Sequence, residues 1–267
     1  MKLPIFIIVL LLALSSVIYV YFSPLISFYQ IESIVASDDL EAFSKEIDTN
    51  AISKNLRNRM SLQMQDALRS YSAQPDPAIT EMRLAPYFES RSKAIASAAY
   101  IFRELESQLK NRTGTPRFSF KNSSTVYIDW VVGKQNHNIS LSRHGLSWYI
   151  SMIEASNAMP LFWGRPVILR GTYYKGRFSN CCVGGKEIEM PYEQLNLNSP
   201  IDIIDVFAES GTYITSGVTQ VQIGADSKVF STNRNGDSIE IKCNALQEGN
   251  TGHYALPVYC VWSSTIK

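Results

Sequence analysis

The sequence predicts an α+β fold: an N-terminal transmembrane helix, further helices followed by an antiparallel sheet, and then a C-terminal all-β small barrel. Three observations carry this reading. Pro4 to Phe22 (PIFIIVLLLALSSVIYVYF) is an unbroken apolar run, preceded only by Lys2 among charged side chains. The periodicity then passes from helical to strictly alternating beyond Lys110. A second composition shift at Ala155 to Leu161 ends helical periodicity altogether, and all four cysteines lie beyond it. The expected organisation is an anchor over 1–23, an α+β domain over 24–154, a linker over 155–162 and a barrel domain over 163–267.

A helix rises about 1.5 Å per residue, so the Pro4–Phe22 run is long enough to cross a hydrocarbon core, and it holds no charge to oppose burial there. Lys2 precedes the run, whereas the first charges after it are Glu32, Asp38, Asp39 and Glu41. Lysine stays inside, so the rest of the chain faces outward. The competing reading is a cleaved signal peptide, with Ile5 to Leu12 as its apolar region and Ala13-Leu14-Ser15 as the small-x-small pattern before the cut. Against it, the run continues through Val17, Ile18, Val20 and Phe22. A helix buried in a soluble domain would carry a polar stripe, and this run has only two serines.

The remaining chain is long enough for two domains, and 45% hydrophobic residues supply a core. Lys+Arg 25 against Asp+Glu 24 gives a net charge of +1 with no long basic run, which removes the electrostatic case for nucleic acid as a partner.

Ser23-Pro24 reads as a helix start, Ser as N-cap and Pro in the first turn, followed by Leu25, Phe28, Tyr29, Ile31 and Ile34-Val35 at helical spacing. Ser37-Asp38-Asp39 caps a short helix carrying Leu40, Phe43 and Ile47. Asp48 or Thr49 caps a third, whose Ile52, Leu56, Met60 and Met64 recur at steps of four. After the breakers Gln74-Pro75-Asp76-Pro77, one longer helix is expected from about Tyr87 to Lys110, with Ile95, Ala98, Phe102, Leu105 and Leu109 on one face.

Val126, Ile128, Trp130 and Val132 then alternate with their neighbours, as do Ile139 and Leu141, and Leu146, Trp148, Ile150 and Met152. The short Gly133–Asn136 and Arg143–Gly145 segments suit hairpin turns, so these strands form an antiparallel meander, with Phe118 and Phe120 on a possible fourth. Beyond the linker, Val167, Leu169 and Tyr173 flank Gly171, Leu195 and Leu197 precede Ser199-Pro200, and Val221 and Ile223 follow. Such short strands suit a small barrel or sandwich. The segments Ile239 to Ala245 and Leu256 to Trp262 pair if they form a hairpin about Gly249 to Gly252, which sets Cys243 opposite Cys260 on one apolar face. That pair is the first-choice disulfide. The alternative crosses it to Cys181 and Cys182, since adjacent cysteines rarely bridge each other without strain.

Catalytic and metal spellings are thin. There is no Cys-x-x-Cys and no His-Glu-x-x-His, and His137, His144 and His253 are scattered, so no metal and no cofactor is implied. Ser90-x-x-Lys93 and Ser107-x-x-Lys110 fall on the solvated side of an amphipathic helix. The candidate ligand-binding residues are Thr251, Gly252, His253 and Tyr254, a hairpin tip whose backbone amides and imidazole could receive an anion or a polar ligand.

Tyr21-Phe22-Ser23-Pro24-Leu25-Ile26-Ser27-Phe28-Tyr29-Gln30-Ile31, then Asp38-Asp39-Leu40-Glu41-Ala42-Phe43 and Glu46-Ile47-Asp48, resembles the opening of a bacterial family, domain of unknown function 2939. Arg143-His144-Gly145-Leu146-Ser147-Trp148 is similar to the strand near that family's end, with His144 where Asp is usual. The second half resembles domain of unknown function 4431, which looks like an oligonucleotide/oligosaccharide-binding (OB-like) β-barrel. The residues carrying it are Val167–Thr172, Leu195–Pro200, Gly236–Ile241 and Thr251–Tyr254, with Tyr254 where the family has a second histidine. Neither resemblance implies an activity. They imply a bacterial source, and with the apolar run and Lys2 the expected location is a bacterial envelope: single-pass in the inner membrane, N-terminus cytoplasmic, domains periplasmic, or secreted to the periplasm after cleavage. The expected role is non-catalytic binding of a protein or a polar ligand in the periplasm, with an immunity or inhibitor protein as one version. The alternative is an envelope hydrolase acting on glycan or lipid through barrel loops around His253, with Asp202, Asp205 or Glu248 as carboxylates.

Overall fold

The computed structural model describes residues 3–69, 75–133, 135–154, 158–183, 186–206, 213–223, 233–248, 256 and 258–265, with side chains described except at 3–14, 16–18, 20–21, 178–183, 186–188, 190, 247–248 and 262–265. Its elements run α1 (Leu3–Ala36), α2 (Leu40–Ser44), α3 (Thr49–Arg69), α4 (Pro77–Ile95), α5 (Ala98–Lys110), β1 (Arg112–Asn122), β2 (Thr125–Val132), β3 (Gln135–His144) and β4 (Ser147–Ile153). The strands β5 (Leu161–Phe162), β6 (Val167–Val183), β7 (Lys186–Asp205), β8 (Tyr213–Ile223), β9 (Ser238–Glu248) and β10 (Val258–Thr265) follow. Contacts divide the chain into two units, 1–59 with 87–155, and 60–86 with 156–267. Among the described residues no helix is long and apolar enough to cross a membrane, and most side chains of the Pro4–Phe22 run lie outside them.

In the first unit, Ser23-Pro24 is not a helix start, because α1 runs unbroken across it with Pro24 inside. A proline there removes one intrahelical bond. The Ser23 hydroxyl, expected to cap, instead accepts a buried 2.7 Å hydrogen bond from the Trp148 indole. Beyond it Phe28, Ile31 and Val35 are buried along one face of α1. Asp39 caps α2 by accepting from the Ala42 amide, and Asp48 accepts from the Ala51 amide at the start of α3. The expected Tyr87–Lys110 helix is two helices. Ser97 leaves helical geometry (φ −67°, ψ 142°), and its hydroxyl accepts from the Tyr100 amide as the N-cap of α5. Helix α5 then buries Ile101, Phe102 and Leu105, with Phe102 edge-on to Phe43 of α2 at 5.2 Å.

The four strands β1-β2-β3-β4 form the expected antiparallel meander. Val126, Ile128 and Trp130, with Ile139, Leu141, Trp148, Ile150 and Ile153, are buried in it, whereas Leu146, expected to alternate onto the same face, lies in the turn before β4 and is exposed. Phe28 ties α1 to β1 and β2, edge-on to Phe118 at 5.8 Å and tilted against Trp130 at 6.1 Å. The outer edge of β4 is occupied by the α2–α3 connection: Ile150 donates to the Glu46 carbonyl and accepts from the Asp48 amide, both at 2.9 Å. Ser151 interrupts the β3–β4 register, and its hydroxyl bonds those of Ser140 and Ser142.

The second unit contains the end of α3, with Met60, Met64 and Leu68 buried, the start of α4, and strands β5 to β10. Its strands form a mixed sheet in the order β5-β7-β6-β9-β10-β8, and an additional β7–β8 pairing brings it nearly into a ring. All pairings are antiparallel except β5–β7 and β10–β8. Strand β5 lies inside the segment expected to be a linker. Tyr173, Leu195, Ile203, Val221, Ile241, Leu246 and Val258 pack as its core. At Gly171, which β6 presents to β7 and β9 alike, a Cβ would lie 2.1 Å from the Asn196 carbonyl oxygen, so only glycine fits.

Cys243 and Cys260 are joined by a disulfide with 5.5 Å between their Cα atoms. The expectation that they face each other directly needs correction. The ladder pairs Cys260 with Leu246 and Cys243 with Ser263, so the bond crosses diagonally between β9 and β10. The burial alternation of β9 shifts phase, from Ile241 and Cys243 to Leu246, and this brings an odd offset onto one core.

Candidate functional site

The hairpin tip Thr251-Gly252-His253-Tyr254 lies outside the described residues, as do the side chains of Glu248, Cys181 and Cys182. The other singled-out polar residues have structural surroundings. Asp202 is buried, and its Oδ1 accepts from the Gly217 amide at 3.0 Å. Gly217 has φ +69° at the β7–β8 register shift, so Asp202 supports a backbone bend. Asp205 is half-buried in β7, paired in register with Tyr213. His137 stacks on Trp130 at 6.4 Å, and the buried Trp130 indole N–H has no acceptor among the described residues. His144 sits 3.3 Å from Asp48 and edge-on to Tyr149 at 5.5 Å. Among the described residues no group of three or more His, Cys, Asp or Glu could hold a metal ion.

Among the described residues, two concave surfaces are candidate binding sites, one in each unit. In the first, helices α3, α4 and α5 border an open polar cleft of about 560 Å³ lined by Ser53, Lys54, Arg57, Glu89, Lys93 and Ser97, among others. Helical spacing explains the grouping: Ser53 and Arg57, and Glu89 and Lys93, are each four residues apart and share a face. Glu89 pairs with Lys93 at 2.8 Å and closely with Arg57. The hydrogen bond from Lys93 holds the Glu89 carboxyl below the usual carboxylate range, helped by Arg57. Ser53 of the lining shares a hydrogen bond of 2.9 Å with the buried Ser92. The lining carries three cations, Lys54, Arg57 and Lys93, against one carboxylate, so the cleft favours an anionic or strongly polar group.

The second surface is a groove of about 130 Å³ on β5, β6 and β7, floored by Leu161, Val167, Leu169 and Leu197 and rimmed by Arg170, Asn198 and Ser199. Arg170 is paired with Glu240. That volume is well below the roughly 300–1,000 Å³ of small-molecule pockets and suits one inserted side chain. Neither surface was singled out in the sequence. Inside this ring, burial holds the Tyr173 phenol far above its usual range, helped by its hydrogen bond to Glu193.

Residues 13–101 match the family model described as a protein of unknown function (DUF2939). No second family model matches, so the likeness of the second half to family 4431 rests on the short motifs quoted above. No curated protein matches the chain, and no solved structure matches it.

Proposed function

We propose that this chain is a membrane-tethered, non-catalytic binding protein of the bacterial envelope, held by α1 with its two units in the periplasm. The observation that carries the reading is the continuity of α1. The helix that begins in the apolar run continues, without a break, to a face buried in the first unit, where Trp148 of β4 bonds Ser23. A tether of this kind leaves no slack between bilayer and domain. The Cys243–Cys260 disulfide supports an oxidising compartment, since such bonds persist outside the cytosol.

The second unit is read as an OB-like barrel. Support comes from its near-ring of β6, β7, β8, β10 and β9 with one parallel contact, in keeping with a partly open Greek-key barrel. The ligand is a protein or a polar group. The cationic cleft suits an acidic moiety, and the small groove suits a protruding apolar side chain. Immunity to a toxin acting in the envelope is one form of this function, because it needs location and a binding face but no chemistry.

The test is isolation of the full chain from membranes dissolved in a mild detergent, followed by native mass spectrometry. A stoichiometric partner protein or polar ligand is expected, lost when Lys54 and Arg57 are replaced by Glu or when the exposed Ile168 beside the groove is replaced by Arg. Absence of any bound species, under conditions that preserve other envelope complexes, contradicts the proposal.

A further inference from the structure

We infer that the tip of the β3–β4 hairpin, Arg143 to Ser147, dips into the phospholipid interface beside α1, so that the first unit meets the bilayer through a hairpin as well as a helix. The inference rests on the anchor reading of α1 and names a second element of the same contact.

Helix α1 carries two opposed stripes from the end of the apolar run onward. Phe28, Ile31 and Val35 face the core, whereas Tyr19, Phe22, Ile26 and Tyr29, at spacings of three and four on the other side, are exposed by 44%, 56%, 63% and 46%. The hairpin tip joins that exposed stripe. Leu146 is 70% exposed, and its carbonyl accepts a 3.0 Å hydrogen bond from the Tyr19 hydroxyl. The Arg143 guanidinium lies 5.9 Å from the centre of the Tyr19 ring. A lone exposed leucine needs no explanation, but this one continues an apolar patch containing two tyrosines.

The level of the contact follows from helix geometry. Tyr19 precedes Phe22 by three residues, so it lies about 4.5 Å inside the end of the run at 1.5 Å per residue. Helical side chains also tilt toward the N-terminus, here toward the membrane. A tip hydrogen-bonded to Tyr19 therefore lies at the inner edge of the interface, where tyrosine is favoured and from which the long Arg143 side chain reaches lipid phosphate. Lipid is favoured over a second copy of this chain. The bilayer that surrounds the run reaches Tyr19 and Phe22 without any association, whereas two such stripes paired about a two-fold axis would bring like Arg143 cations together.

The experiment uses the full chain in phosphatidylethanolamine/phosphatidylglycerol vesicles, with a nitroxide attached through an unnatural amino acid at Leu12, Leu146 or Ser123, the last in the β1–β2 turn. Spin relaxation by oxygen and by a water-soluble nickel chelate is compared between sites. At Leu146 we expect a gain of oxygen relaxation and a loss of chelate relaxation relative to Ser123, shallower than at Leu12. A lipid-exposed Leu12 with a water-exposed Leu146 overturns the hairpin inference and leaves the anchor standing. A water-exposed Leu12 overturns both. Dipolar coupling between copies labelled at Ile26, with Leu146 shielded from both relaxants, makes the occupant a second copy and overturns the assignment to lipid.

Discussion

The four-stranded sheet of the first unit and the strand near-ring of the second face the same problem, unpaired backbone groups along a sheet edge, and meet it by different means. In the sheet, the β4 edge is occupied by Glu46 to Asp48, while β1 remains an edge strand interrupted by a register shift between Thr113 and Arg117. In the near-ring, β7 pairs with both β6 and β8, and a disulfide links β9 to β10. The first unit thus depends on helix cover and on the side chains buried between helices and sheet. The second depends on closure of its own backbone and a covalent bond. Substitutions should therefore act on one unit while sparing the other, and hydrogen exchange read by mass spectrometry can assign each effect.

The largest effect is expected for Trp148→Ala. It empties a fully buried site and leaves Ser23 without its donor, a loss of about 3–5 kcal/mol confined to the first unit. A matching loss of protection in the ring would mean that the two units are not stabilised independently. Replacing Cys243 and Cys260 together by Ala reverses the pattern. With a separation of 17 residues, about 3 kcal/mol should be lost from the ring, with protection in β1 to β4 unchanged. Gly171→Ala sharpens the point about backbone closure, because the added methyl meets a carbonyl rather than a yielding side chain; urea melts should show about 1–3 kcal/mol lost, again in the ring.

The smallest effect is a pH dependence. The folded state raises the Tyr173 phenol, so its contribution is complete below the unfolded value of about 10 and is lost as pH rises above it. Alkaline unfolding of the ring should flatten in Tyr173→Phe, and an unchanged slope would remove Tyr173 from the account.

Local elements were legible in the sequence because their signals are local. Asp39 and Asp48 cap where the spelling places them, and the meander follows the alternation of Val126, Ile128 and Trp130. Ser23 and Ser97 show the limit of that reading. Ser23-Pro24 spells a cap but lies inside a helix, because Trp148, 125 residues away, takes the hydroxyl. Ser97 caps α5 from within an amphipathic run whose apolar spacing masks the break. Ring closure was not legible, since the β6–β9 and β8–β10 pairings join segments that are not neighbours in sequence. The diagonal disulfide depends on a phase shift inside β9 that strict alternation conceals. The cationic cleft combines two ordinary helix surfaces, 49–57 and 89–97, whose charges taken singly are those of any solvated face.

If α1 holds both units outside the cytoplasm, as proposed, protease treatment of intact spheroplasts will reveal it. The account expects the full chain to resist alkaline carbonate extraction, external protease to remove the residues beyond α1, and Cys243–Cys260 to be oxidised before lysis. A chain that is released by carbonate, or protected from external protease with both thiols free, contradicts it.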